Sequence, residues 1–243
     1  MLEIISHDGP ARLGNIKNNE SPGILIPGED FSLIPDEPMP YNVPLKLAEY
    51  SVNKTIERCM ENDERGIAVV HGSKYLDLRI KCAGELEKLG NPVLLVANSD
   101  ELLNRPMDLI KIVVGLREEL NPNTALYFPF IKLNFLPLLA YMGVDLFGAE
   151  AGNLYAHLKT LTTPHKNYPL DEYEIYQFNQ QELANYNQKS IDFVLREIRE
   201  NIRNGTMRNL VEERCCSSPE TMTALRILDR DYSGYLDKYT PLY

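Results

Sequence analysis

The sequence predicts an α/β fold built on a parallel sheet, and three observations carry that expectation. Over residues 45–160, short β-branched runs alternate with stretches of helical periodicity. Those runs (IAVV, PVLLV, TALYF) are apolar throughout rather than alternating, as strands covered on both faces are. Strands that alternate with helices form βαβ units, and right-handed crossovers then leave a barrel or a doubly wound sheet. In both, the functional edge lies at the carboxyl ends of the strands.

Taken in order, residues 2–27 read as β structure, because the runs LEII and GILIP are separated by turn chemistry at Asp8-Gly9-Pro10 and over 18–23. The proline-rich segment 28–44 reads as an irregular surface loop. A helix is expected over 45–62, with Leu45, Ala48, Val52, Ile56 and Cys59 on one face. The strand 67–72 follows. The next helix is expected over 73–90, with Ser73 as N-cap and Gly90 just past its end. Strand 92–98, helix 105–120, strand 124–130, helix 135–143 and strand 144–147 continue the alternation. Residues 160–182 are polar and rich in tyrosine and read as a linker or an irregular extension. A strong amphipathic helix over 183–204 carries Ile191, Val194, Leu195, Ile198 and Ile202 on one face and stops at Gly205. Helices over 207–215 and 219–238 complete the chain, the second opening at Ser218-Pro219.

The 243 residues carry 25 Lys and Arg against 35 Asp and Glu, a formal charge of −10. That balance opposes binding to a polyanion, so any contact with nucleic acid needs a local basic patch or a partner. The N-terminus has no basic stretch ahead of an apolar core, and no run is long enough to span a bilayer. Four cysteines without CxxC spacing make neither a disulfide framework nor a zinc knuckle, so a reduced, cytoplasmic protein without membrane contact is the expectation.

Several stretches resemble one family. SHDGPARLGNI, a loop and then GILIP are similar to the opening hairpin of tRNA-guanine transglycosylases. YMGVDLF resembles the strand that reads Gly-(Val/Ile)-Asp-(Met/Leu)-Phe-Asp in those enzymes. NYNQKSIDFVLREIRENIRNGTM is similar to the helix after their zinc site. RNLVEERCCSSPETMTALRILDRDYSGYLDKYTP resembles the helical segment of the archaeal branch, which includes archaeosine transglycosylase and archaeosine synthase. The likeness is nearest to the transglycosylase-like N-terminal part of archaeosine synthase. It implies an abridged TIM-barrel-like (β/α) domain over 1–160 and a small helical C-terminal domain over 161–243.

The resemblance also implies a chemistry: an aspartate that attacks the ribose, a second aspartate for the base proton, and a zinc held by three cysteines and a histidine. Carried over position by position, most of that set is absent. The nucleophile's position is Gly148, and no Asp-Ser-Gly-Gly motif is found. No cysteine lies between 160 and 182, and the zinc histidine's position is Tyr186. His157 and His165 alone make no zinc site, so no metal or cofactor is expected. Asp145, three residues before Gly148, faces the opposite way along a strand. Glu150 shares the face of Gly148 if extended backbone continues, and is the local substitute nucleophile.

His71, Asn98, Phe130 and Glu150 stand at strand ends as base-pocket candidates, although a lone histidine at a strand end also serves structure and Ser99 or Asp100 also caps a helix. Arg196, Arg199 and Arg203 share one helix flank and are the candidate tRNA contacts. Glu197 and Glu200 are interleaved, which equally suits a solvated salt-bridged face. Tyr168, Tyr173 and Tyr176 either stack on bases or cover a subunit contact.

The function expected from the resemblance is tRNA modification in the archaeosine pathway, as the component of archaeosine synthase that lacks the base-exchange nucleophile. The amine-transfer motif of that synthase is not found in this chain, so its catalytic site is expected on a separate subunit, with tRNA as the shared substrate. Two alternatives stand beside this: an active transglycosylase using Glu150, and a non-catalytic paralogue that dimerises with the catalytic enzyme.

Overall fold

The structure, a computed structural model, describes residues 1–239. Three antiparallel strands open the chain, β1 (Glu3–Asp8), β2 (Ala11–Ile16) and β3 (Asn19–Ser21). The first barrel strand is β4 (Gly23–Leu25). Then come α1 (Leu45–Glu61), β5 (Ile67–Val70), α2 (Leu76–Lys88), β6 (Val93–Val96), α3 (Ser99–Leu102), α4 (Pro106–Glu119) and β7 (Ala125–Phe128). A 3-10 turn (Leu133–Phe135) leads into α5 (Leu136–Tyr141), followed by β8 (Leu146–Gly148) and α6 (Ala151–His157).

The five strands β4 to β8 are parallel in the order β4-β8-β7-β6-β5. Sequential strands from β5 to β8 are neighbours, as in a TIM barrel, and β4 closes onto β8 where a longer barrel has further strands. The free edge of β5 is met by the chain at Leu33. The Ile34 N–H donates to the Ile67 carbonyl and the Ile67 N–H to that of Ser32, both at 2.9 Å. This is the abridged barrel that the resemblance implies.

Alternation along the strands divides the apolar residues cleanly. Leu25, Ile67, Val93, Ala125, Tyr127 and Leu146 face inward, where Leu2, Ile16 and Phe31 fill the interior from outside the sheet. At about 2 kcal/mol for each large side chain taken from water, these three fillers are what make so small a barrel tenable. Ala68, Val70, Leu94, Val96, Leu126, Phe128 and Phe147 face outward into a second cluster shared with the helices. The β1–β2 hairpin caps the lower end of the barrel, the Leu2 N–H donating to Asn123 O at 2.8 Å.

Beyond the barrel, β9 (Thr160–Thr162) and β10 (Asn167–Pro169) form a hairpin. Four helices follow: α7 (Gln180–Asn204), α8 (Met207–Cys215), α9 (Pro219–Asp231) and α10 (Ser233–Lys238). α7 begins with a capping box, in which Asn179 and Glu182 satisfy each other's backbone N–H, and ends at left-handed Gly205. Its apolar face, with those of α8 and α9, joins the same cluster as α4 and α5. Residues 240–243 of the expected helical region lie outside the described residues.

Four expectations need correction. The 160–182 segment is no plain linker, since its short polar strands pair as β9–β10. The expected 219–238 helix breaks at Tyr232, whose φ is −131°, and the break turns Tyr235 inward to donate to Met142 O at 2.8 Å. Ser73 does not cap α2, because its backbone is left-handed (φ 52°) and its hydroxyl donates to Pro40 O. Leu45, expected on the apolar face of α1, is exposed, while the loop over 28–44 is irregular as expected. Ser51 and Thr55, buried on α1 where Leu45 is exposed, bind the Glu37 backbone at 2.6 and 3.1 Å.

Candidate functional site

The carboxyl ends of β5 and β6 are tied to the 28–44 loop rather than open. His71 Nε2 lies 2.7 Å from Asp36 Oδ2, and Asn98 Nδ2 donates to Met39 O at 3.0 Å. Beneath them the fully buried guanidinium of Arg79 donates to Ser73 O (2.7 Å), Ala97 O (3.0 Å) and Asn98 Oδ1 (3.3 Å). Burial lowers the pKa of Arg79 to about 10, still charged at neutral pH. Ser73 and Asn98 both have left-handed backbone, the strained conformation that usually marks a site. Here the partners that hold it are the loop and Arg79. His71 and Asn98 thus anchor a cover over half of the barrel mouth.

The other half is formed by β7 and β8. Leu146 points inward and Phe147 outward, so position 148 points inward at the mouth. A Cβ at Gly148 would stand 2.1 Å from the Pro129 carbonyl oxygen and 2.9 Å from its carbon. The space of a side chain is occupied by backbone. Tyr127 lies just below, its hydroxyl pKa pushed up to about 12 by burial and then by the charge of Glu150. Phe130 is 47% exposed on the rim.

Glu150 does not continue the strand. Its φ and ψ of −79° and −3° place it at the start of α6, so the extended backbone that would align it with Gly148 ends first. It faces an open groove of about 690 Å³ between α6 and α7, together with Asn153, His157, Gln180 and Gln181. Asn153 donates to Glu150 at 3.2 Å, and the Gln180 amide lies 2.9 Å from His157 Nδ1. Leu154 and Ala184 add apolar wall to these polar side chains, and Glu150 is the one carboxylate among the described lining residues.

Where the resemblance puts zinc, the residues present do not fit it. Asn187, wholly buried, accepts from the Thr162 N–H and donates to Thr160 O, both at 2.9 Å, stapling β9 to α7. Tyr186 packs with Tyr176 and Phe178, ring centroids 6.4 and 5.7 Å away, and Phe178 lies on a small core of Ala156, Leu161, Leu183 and Ala184. Tyr168 and Tyr173 meet edge to face at 5.5 Å with Lys166 over both rings. Among the described residues no three His, Cys, Asp or Glu side chains gather as a metal site. Asn187→Leu, which strands both Thr backbone groups, is expected to cost about 2–4 kcal/mol. Limited proteolysis should then cut first within 160–170.

The arginine flank on α7 is also partly committed. Arg199 donates to Pro22 O at 2.8 Å, lies 3.3 Å from Glu20, and is half-buried against the hairpin. Arg203 pairs with Glu200. Arg196 has no ion pair among the described residues and lines a shallow groove with Asn18, Asn19 and Asp192. Sequence reasoning missed the buried cations that organise the molecule. Arg79 shares its helix face with Cys82, Ala83 and Leu86, and Arg117 shares one with Ile110, Val113 and Val114; a charge at helical spacing on an apolar face was the available signal.

Comparison with known proteins gives these positions a context. The family model described as queuine tRNA-ribosyltransferase matches residues 27–184. Archaeosine synthase of Methanocaldococcus jannaschii is 35% identical over 125 residues, covering 51% of this chain and 21% of that protein. The tRNA-guanine(15) transglycosylase of the same organism is 30% identical over 250 residues, covering 88% of this chain and 38% of the relative. That of Thermococcus kodakarensis is 28% identical, covering 88% and 42%. The chain thus spans between about a fifth and two fifths of these relatives' lengths. Among the described residues no helix is long and apolar enough to cross a membrane. With the model matching well over half of its residues, the chain belongs to the queuine tRNA-ribosyltransferase family.

Proposed function

We propose that this chain is a transglycosylase-like component of tRNA modification in the archaeosine pathway that performs no base exchange itself. The observation that carries this reading is Gly148, at the position of the family's nucleophile, with the Pro129 carbonyl where a side chain would begin. Displacement at the ribose needs a carboxylate aimed at that carbon, and neither Gly148 nor the redirected Glu150 supplies it. The cover held by His71 and Asn98 supports the same conclusion. Its place is beside a catalytic archaeosine synthase chain, with 1–160 as the barrel domain and 161–243 as its helical companion.

Incubated with tRNA and labelled guanine, the protein is expected to incorporate no label above background. Exchange at a rate typical of active transglycosylases would overturn the reading, and loss of that exchange in Glu150→Ala would assign it to the groove carboxylate. The protein alone is also expected to bind tRNA weakly. Arg196, Arg199 and Arg203 offer at most three phosphate contacts, hence a slope of about 2–3 in log affinity against log salt. Arg199 is already bound to the hairpin, so the measured slope should fall at or below the lower value. A slope well above 3 in filter binding would place the basic surface elsewhere.

A further inference from the structure

Three pieces of chain far apart in sequence meet beside the start of α5: the 3-10 turn before it, the tip of the β9–β10 hairpin and the turn from α8 into α9. They frame a cavity of about 290 Å³, several times the ~30 Å³ share of one water. Lys132, Asn134, His165, Lys166 and Glu220 line it, and Phe135 adds an apolar wall. The Thr163 N–H and hydroxyl both donate to Lys166 O, at 3.1 and 2.8 Å, which fixes the hairpin tip.

Asn134 is the group that folding leaves unused. It is 9% exposed, and its side-chain amide makes no hydrogen bond among the described residues. A buried amide without a partner is costly, so such groups are seldom left alone. This one is not sealed. Its polar atoms keep surface, and the cavity is what Asn134 lines. An amide so placed is ready to bond to whatever occupies the space.

The charges decide the sign of that occupant. Lys132 donates to the neutral side chain of Asn104 at 2.7 Å, and Lys166 Nζ lies 4.8 and 5.3 Å from the ring centres of Tyr173 and Tyr168. Neither ammonium has a carboxylate partner among the described residues. Glu220 is the one acid on the wall, and it is turned back to the first turn of α9, where the Ser218 hydroxyl donates to it at 2.6 Å. That bond first, its own backbone N–H next and the charge of Lys132 more weakly hold its carboxyl below the usual range. The Lys132 charge is therefore felt at the cavity wall. Two ammonium groups against one engaged carboxylate leave the wall positive, in a chain whose formal charge is −10.

We propose that this cavity binds the phosphoryl group of a small molecule, with the Asn134 amide donating to one oxygen and the ammonium groups of Lys132 and Lys166 closing on the others. The stems of both lysines already line the wall, so rotation about their flexible side chains exchanges a neutral amide and two aromatic faces for a dianion. The site shares no lining residue with the α6–α7 groove or with the groove beside Arg196, and it holds whether or not the proposed tRNA function does.

The test titrates the whole chain with inorganic phosphate and with phenyl phosphate at constant ionic strength, with chloride as the reference. Phosphate is expected to raise Tm saturably, by about 5 °C at a hundred times its Kd. Phenyl phosphate acting at lower concentration identifies a phosphate ester as the ligand; phenyl phosphate acting no more tightly identifies the free ion. Lys132→Ala combined with Lys166→Ala removes both charges and should lower the affinity at least tenfold. Asn134→Leu keeps the buried volume without the amide and should do the same. Should Asn134→Leu fail to fold, the paired lysine variant decides. No saturable shift beyond chloride, or an affinity unchanged in either variant, overturns the site.

Discussion

Replacing Asp145 by alanine is expected to be the most damaging single change in the molecule, lowering stability by about 3–5 kcal/mol. Among the described residues the carboxylate is the only negative partner of Arg12 and Arg117 at the base of the barrel, and it also receives the Leu126 N–H. Its loss leaves two guanidinium groups facing each other out of water and strands a strand N–H. Asp145→Asn keeps the shape and part of the hydrogen bonding but not the charge, and should fall between wild type and alanine. Denaturant unfolding with the slope unchanged is the measurement. A loss under about 1 kcal/mol would mean that water reaches both arginines and screens them.

Placing an acid at Gly148, the position to which the resemblance assigns a nucleophile, is expected to restore nothing. In Gly148→Asp the new Cβ meets the Pro129 carbonyl oxygen at 2.1 Å and its carbon at 2.9 Å. Neither is the free end of a flexible chain, so β8 or the turn after β7 must move. Overpacking of this kind costs about 1–3 kcal/mol, and for a chain of this size that is a fall in Tm of about 3–10 °C. Gly148→Ala should cost about as much, because the clash begins at Cβ. Thermal unfolding of both variants, with label exchange assayed on the aspartate, separates the outcomes. An aspartate variant that melts like wild type and exchanges guanine would show a mouth able to reopen.

How far such features were legible in the sequence depends on their range. The parallel strands and long helices announce themselves through periodicity and through residues such as Gly90, Gly205 and Pro219. The absence of a carboxylate at 148 is equally plain. What fills that place is not, because Pro129 is nineteen positions away and acts through its backbone. The β9–β10 hairpin escaped notice for another reason: its strands are only three residues long, β10 is polar and partly exposed, and Asn187 of α7 holds β9 from a distance. His71 and Asn98 stand at strand ends as expected, but their partners Asp36 and Met39 come from a loop with no periodicity to place it.

The staple at Asn187 bears on how the protein fares as conditions change. A junction closed by an amide and three aromatic rings needs no ion supply, releases nothing to a chelator and offers no thiolate to an oxidant. Its persistence answers to temperature and denaturant, and more weakly to salt through the exposed Lys159–Asp171 pair beside it. In a cell starved of zinc, or flooded with peroxide, this hairpin would stay folded where a thiolate-bound counterpart would open.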